Sequence, residues 1–503
     1  MSDGKMRHAP PRAAETVESL RGLGYSTATA LADVIDNSIS AKATDIDLFF
    51  HWDADRSSIR ILDNGCGMTD EALFLAMRLG AKNPLDHRHH DDLGRFGLGL
   101  KTASFSQCRR LTVASRRDDV VSCLRWDLDV LAKADDDGWY LLEGPEPGSE
   151  TLLDAIAKAP HGTLVVWETL DRLITPGFRQ QDFLDMIDRV EAHLSMVFHR
   201  FIEGPNADIQ LTINGRRVKP WDPFLINHHA TWSSPVERLE SVGATVEVQC
   251  HVLPHKDRLS ERDHQEAAGP EGWTSQQGFY VYRNRRLIVP GGWLGLGRGR
   301  SWTKEEAHRL ARIRLDIPNT VDADWNLDVR KSTAKPPIQL RDRLTLLAED
   351  ARHRARRVFA SRGAPASSGA ASVVVQAWRA EHFAGGVRYR IEREHPAVKA
   401  AFDGAGDSEP HIDAMLKLLE ETVPVQRIWL DTTEQTETPR TGFAGASAET
   451  VMGVLTPIYR NMVMRRGLSS ADARRALLHM EPFNNYPSLV DALPDIVATP
   501  QRQ

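Results

Sequence analysis

The sequence predicts an α/β chain in three parts: two successive α/β domains and a smaller, mostly helical C-terminal one. Three observations carry this. From Thr27 to Lys42 the apolar residues Ala28, Leu31, Ala32, Ile35 and Ile39 recur at helical spacing, and Ile46, Leu48 and Phe50 then alternate as in a strand. Helical and strand-like segments go on mixing in this way as far as Ile317. Finally, the stretch Arg362–Ser372 (RGAPASSGAAS) is small and flexible in composition and reads as a linker.

Taken in order, Ser58–Leu62 reads as a second strand and Thr69–Leu79 as a helix capped by Thr69. Gly94–Ser106 is a glycine-punctuated helix start. Strands follow at Leu111–Ser115, Val120–Trp126 and Thr163–Trp167, and a helix over Gln181–Phe201 closes the first domain. A second set of strands is expected at Ile209–Ile213, Thr245–Val252, Phe279–Tyr282 and Arg312–Ile317, with a helix over Arg341–Ala360 leading to the linker. Ile213–Val218 reads as a hairpin with an Asn214-Gly215 turn.

A chain of 503 residues is too long for one core, and its 41% hydrophobic and 26% charged residues are those of an ordinary globular protein. No apolar run approaches a membrane span, and Met1–Pro11 is polar without a signal-peptide core. Cys66, Cys108, Cys123 and Cys250 lack paired spacing, which argues against a disulfide framework or a standard zinc site and suits a cytoplasmic location.

Three motifs carry chemistry. In Ala32–Ser38 (ADVIDNS), Asp33 and Asn37 are four apart and project from one helical face, where a carboxylate and an amide can orient a water and complete magnesium coordination. In Asp63–Met68 (DNGCGM), directly after a strand, Gly65 and Gly67 let the backbone approach a ligand, and Asp63 can accept a hydrogen bond from an adenine amino group. In Gly94–Ala103 (GRFGLGLKTA), closely spaced glycines open a helix and expose amide donors to phosphate. A Walker loop fails here by one residue, because Leu100 stands between Gly99 and Lys101; a dinucleotide fingerprint fails at Thr102.

Each motif alone also fits a solvated helix face or an Asp-initiated turn. Their order and spacing over residues 15 to 340 resemble the GHKL ATPase superfamily, with the third motif most like MORC ATPases and heat-shock chaperones. The resemblance implies an α+β sandwich: a Bergerat-type ATPase domain over residues 1–200 and a ribosomal-S5-like transducer domain over 201–361. A linker over 362–372 and a C-terminal adaptor or oligomerisation domain over 373–503 complete the expected order. It further implies ATP and Mg²⁺ as cofactors, with Asn37 coordinating the metal, Asp63 reading adenine, and Gly65, Gly67 and Met68 shaping the base pocket. Gly94, Arg95, Phe96, Gly97, Leu98, Gly99, Leu100 and Lys101 would cradle the phosphates, and Thr163 matches the family's late Gly-Thr element.

The segment Gly80–Leu93 would be the ATP lid; its His87, His89 and His90 are flanked by Asp86, Asp91 and Asp92, which favours a solvated loop over a metal site. One departure concerns catalysis: the family's general base is usually glutamate, and Asp33 stands in its place. Because a misplacement of about 1 Å can cost on the order of 100-fold in rate, slow hydrolysis is the expectation. Asp36, on the same helix, occupies a position with a structural part. In the segment Asp324–Lys331, Lys331 matches the lysine that meets the γ-phosphate, with Lys335 as rival.

Gly278–Arg300 holds five arginines and no acidic residue, and Arg341–Arg362 holds seven arginines against Asp342, Glu349 and Asp350. Such patches could contact DNA phosphates; solvated faces or protein interfaces explain them as well. The loop GGWLGLGRGR (Gly291–Arg300) reads as a flexible surface loop. The function expected is an ATP-gated homodimer acting in a DNA transaction, such as restriction-like defence against phage, with DNA and other defence or DNA-processing proteins as partners and no membrane. A heat-shock-type chaperone is the alternative; a histidine kinase would need a phosphoacceptor helix before the ATP domain, and a topoisomerase a cleavage module.

Overall fold

The computed structural model describes residues 11–81, 99–133, 138–205, 207–241, 244–321, 324–325, 334–361, 375–383, 386–426, 428, 443 and 446–496. The chain divides into two compact units, residues 1–364 and 365–503.

Unit one opens with the helices α1 (Ala13–Leu20) and α2 (Thr27–Ser40). The start of α2 is fixed by a capping box: the Ser26 hydroxyl accepts from the Thr29 amide, and the Thr29 hydroxyl accepts from the Ser26 amide. Its apolar stripe, Leu31, Val34 and Ile35, is buried. The strands that follow are β1 (Asp45–His51), β2 (Ser58–Asp63), β3 (Arg110–Arg117), β4 (Val120–Asp127), β5 (Leu142–Glu143), β6 (Gly162–Glu168), β7 (Gln210–Ile213) and β8 (Arg216–Arg217). They form one sheet in the order β5-β4-β3-β6-β2-β1-β7-β8.

All pairs in that sheet are antiparallel except β1 with β7. Helices α2 and Gln180–Val197 pack with the sheet into one core that joins Leu31 and Ile35 to Ile46, Leu48, Ile59, Val165, Phe183 and Val190. The arrangement is therefore helix on sheet, the α+β sandwich that the resemblance implies. The helix expected over Gln181–Phe201 runs Gln180–Val197 and breaks at Phe198 before a short turn, His199–Ile202.

One strand changes sheets relative to the expectation. Ile209–Ile213 was expected to open the second set, but β7 pairs in parallel with β1, Asp45 opposite Gln210 and Leu48 opposite Ile213. The first sheet thus runs past residue 200, closed by the Asn214-Gly215 turn, in which both residues take positive φ (47° and 77°).

The second sheet contains β9 (Trp232–Ser233), β10 (Glu237–Ser241), β11 (Ala244–Val252), β12 (Gly278–Arg283), β13 (Arg286–Pro290) and β14 (Ala311–Ile317). Their order is β10-β11-β14-β12-β13, with β9 on β11. The helix Ile338–Ser361 lays Leu344, Ala348, Ala351 and Ala355 against Val248, Ile313 and Leu315 of this sheet. The stretch Gly291–Arg300, expected as a flexible surface loop, is anchored instead: Trp293 and Leu296 are buried in the same core. The linker stretch 362–372 lies outside the described residues.

Unit two holds a two-stranded ribbon, Trp378–Phe383 with Gly386–Ile391, and a helical core of Val451, Leu455, Tyr459, Leu477, Met480 and Phe483. Arg388 and Arg390 lie on the second strand of this ribbon. Among the described residues no helix is long and apolar enough to cross a membrane, and no cluster of His, Cys, Asp and Glu could hold a metal ion.

Candidate functional site

The end of β2 delivers Asp63 to the mouth of the first sheet, where the carboxylate is 6% exposed. Ser38 Oγ donates to Oδ2 at 2.7 Å and the Gly65 amide to Oδ1 at 2.9 Å. Burial pushes its carboxyl above the ordinary carboxylate range, opposed by hydrogen bonds from Ser38 and from the Gly65 and Thr163 amides. Ser38 comes from α2 and Thr163 from β6, whose register sets Thr163 opposite Asp63. One buried carboxylate therefore ties together helix, turn and neighbouring strand.

The backbone around it permits no side chains at two points, one in the turn that follows and one at the start of β6. Gly67 has φ +64°, and a Cβ there would stand 2.0 Å from the Arg116 carbonyl oxygen. Gly162, φ +135°, would set a Cβ 2.0 Å from the Asp63 carbonyl oxygen. Gly65 is tight for another reason, since its Cβ would meet the Ala41 side chain and Asp63 Oδ1 at 2.9 Å. Asn64 anchors the turn from outside, its Oδ1 accepting from the Thr44 and Asp45 amides at 2.8 and 2.9 Å. The amide of Met68 donates to Ser115 Oγ, which also reaches Gly162 O and Thr163 Oγ1. His161 Nδ1 lies 2.7 Å from Gly65 O.

On α2, Asp33 is 6% exposed and receives the Tyr25 hydroxyl on Oδ2 at 2.9 Å. Asn37, one turn on, is exposed and donates from Nδ2 to the Asp33 carbonyl at 3.0 Å. The helix α4 (Gly99–Phe105) starts beside this pair: a Cβ at Gly99 would be 3.8 Å from Asp33 Oδ2. The first and third motifs thus meet at Asp33, while the second lies across α2 at Asp63. Leu100 is half-buried. Lys101, expected at the phosphates, is 3% exposed and donates from Nζ to Ala76 O (2.8 Å) and Arg78 O (3.1 Å), at the end of the helix α3 (Asp70–Met77).

Gly94, Arg95, Phe96, Gly97 and Leu98, the histidines of the expected lid, and Lys331 lie outside the described residues. Lys335 is exposed, and its amide donates to Trp325 O at 2.8 Å.

Sequence reasoning missed Tyr25, Ser38, Ser115 and, above all, Arg286. The turn Asn284-Arg285, both at positive φ, joins β12 to β13 and sets Arg283 opposite Arg286. Arg286 then reaches back to the first domain: its Nε is 3.1 Å from both carboxylate oxygens of Asp36, and its Nη2 is 3.7 Å from Asp33 Oδ1. Asp36 is 1% and Arg286 6% exposed. This corrects the view of Gly278–Arg300 as an open basic patch. Arg283 and Arg286 are buried, Arg285 pairs with Asp208 at 2.7 Å, and Arg298 pairs with Glu349 at 2.6 Å. No local signal in the sequence marks a partner 250 positions away.

Comparison with known proteins places this geometry. Residues 25–163 match the family model described as histidine kinase-, DNA gyrase B-, and HSP90-like ATPase. The chain is 36% identical over 96 residues to the DNA mismatch repair protein MutL of Neisseria meningitidis serogroup C, covering 18% of this chain and 14% of that protein. It is 27% identical over 96 residues to the ATPase morc-1 of Caenorhabditis elegans, 19% of this chain and 11% of that one. Against the ATPase MORC2B of Mus musculus it is 31% identical over 98 residues, 19% of this chain and 10% of that one. The match thus spans only a small share of each relative's length. With the Asp-x-Gly-x-Gly turn, the acidic-Asn helix and the glycine-led helix gathered within it, the segment 25–163 is a domain of the GHKL ATPase superfamily, similar to the matching segments of MORC and MutL proteins.

Proposed function

We propose that the chain binds ATP with magnesium, hydrolyses it slowly, and uses the cycle as an ATP-gated homodimer acting in a DNA transaction. The observation that carries the reading is the Asp63 turn: a buried acceptor fixed by Ser38 and Gly65, with backbone beside it that only glycine allows. Such an acceptor suits the exocyclic amine of adenine, and Gly65, Gly67, Met68 and Thr163 would line the base pocket. Mg²⁺ fits the donor set as well, because the exposed amide of Asn37 offers an oxygen beside Asp33 while Nδ2 is engaged on the helix. The ion would neutralise phosphate charge when bound.

In this reading Asp33 accepts the proton of the attacking water, and Tyr25 orients its carboxylate. The Gly94–Gly99 segment cradles the phosphates, and Lys331 closes on the third of them. Arg286 links the acidic helix to β13, so a shift of α2 on nucleotide binding would be felt in the second, S5-like domain. The DNA side of the reading rests on the mismatch-repair relatives, and a role in repair or restriction-like defence follows by the same analogy. Mass in solution and ATP turnover, measured together with ATP, a non-hydrolysable analogue and ADP, with and without DNA, test it. A dimer on the analogue that relaxes on ADP is expected; a monomer under all conditions contradicts the switch.

A further inference from the structure

A second cavity, of about 390 Å³, lies in the second domain between the Gly291–Arg300 loop, the segment after it and the helix Ile338–Ser361. None of its lining residues belongs to the nucleotide site. Glu349, Arg352, His353 and Arg356 fall at helical spacings of three and four, so one stripe of that helix faces it. Arg298, Arg300 and His308 close the other side.

The centre of the cavity is Arg352. It is 7% exposed, with its guanidinium carbon 4.7 Å from the ring centres of both Trp293 and Trp302. The two indoles meet edge to face at 81°, which fixes the guanidinium plane without using its N–H groups. Those groups are poorly served. Among the described residues Nη1 is buried with no hydrogen-bond partner, and the carboxylate of Glu305 stands 3.9 Å from Nη2, beyond hydrogen-bond reach. The other acid, Glu349, is already taken by Arg298 at 2.6 Å. At the rim Arg300 and Arg356 are exposed and make no ion pair among the described residues.

A buried guanidinium with an idle donor is costly unless an anion completes it. Here two further free arginines point the same way, and a planar fork with flanking cations matches the oxygens of a phosphate group. We propose that this cavity is a phosphate-binding site, with Arg352 as the buried anchor and Arg300 and Arg356 as rim contacts. The phosphate can be a free phosphoanion or one unit of a nucleic-acid backbone. The second source rests on the DNA reading above; the first does not.

The test uses the full chain and calorimetry with inorganic phosphate, pyrophosphate and a duplex DNA oligonucleotide, read as the difference between wild type and variant, so that any binding in the nucleotide pocket cancels. The rim double variant Arg300→Glu/Arg356→Glu is the probe, since both side chains are exposed and lie outside the hydrophobic core. Pyrophosphate affinity is expected to fall at least tenfold in it, with ATP turnover unchanged. If DNA affinity falls in parallel and pyrophosphate competes with DNA, the ligand is a backbone phosphate; if only pyrophosphate responds, it is a free phosphoanion. Absence of binding by all three probes, or binding unchanged in the double variant, overturns the proposal whatever becomes of the ATP site.

Discussion

Asp33→Asn should lower ATP turnover of the full chain by about 10²–10⁴-fold, the span that general bases contribute, while ATP affinity changes little. The asparagine keeps the volume and can still accept the Tyr25 hydroxyl, which now sits 2.9 Å from Oδ2. What it loses is the capacity to take a proton. The neighbouring carboxylate cannot substitute, because Asp36 is 1% exposed and engaged by Arg286 at 3.1 Å. Single-turnover hydrolysis alongside equilibrium binding separates the two effects. Full turnover in Asp33→Asn would place the base elsewhere.

The second large effect concerns the link between the two domains. Breaking a buried ion pair from one side typically costs about 3–5 kcal/mol, and Arg286→Ala should destabilise unit one by that order. Because Arg286 sits in β13 and Asp36 in α2, the loss should also uncouple the unfolding of the two sheets, broadening the transition. Chemical denaturation of Arg286→Ala, Asp36→Asn and the double variant forms a cycle that isolates the pair. A double variant no worse than either single one is the expected result; strictly additive losses would show that the contact contributes nothing.

The residues that were legible in the sequence are those whose partners are close in the chain. Helix α2 was readable from Leu31, Ile35 and Ile39 at helical spacing, and Thr69 was readable as a cap because its hydroxyl serves an amide three residues on. The Asn214-Gly215 turn was readable from two residues that tolerate positive φ. The Asp63 turn was legible as a pattern, but its meaning comes from Ser38 and Thr163, 25 residues away and one strand over. Strand β7 was assigned to the wrong sheet because nothing local to Ile209–Ile213 encodes parallel pairing with β1.

Charge was the least legible property. Counting arginines left DNA contact, solvated faces and protein interfaces open alike, whereas in the structure Arg343 spans both oxygens of Glu237 at 2.5 and 2.7 Å, and Arg354 pairs with Asp350 at 2.9 Å. An arginine's task is set by the carboxylate or ring it meets, and those are mostly distant in sequence. Lys101 carries the same lesson: its ammonium meets two carbonyls at the end of α3.

The most direct test of the account is calorimetric titration of the full chain with ATP, with and without Mg²⁺, beside Asp63→Asn. The account predicts one ATP per chain, tighter with Mg²⁺ than without. In Asp63→Asn, where the Ser38 and Gly65 contacts and the adenine acceptor are disturbed together, it predicts a loss of about 1.5–3 kcal/mol, roughly 10- to 150-fold in affinity. ATP bound equally well by the wild type and by Asp63→Asn, or not bound by the wild type at all, would contradict it.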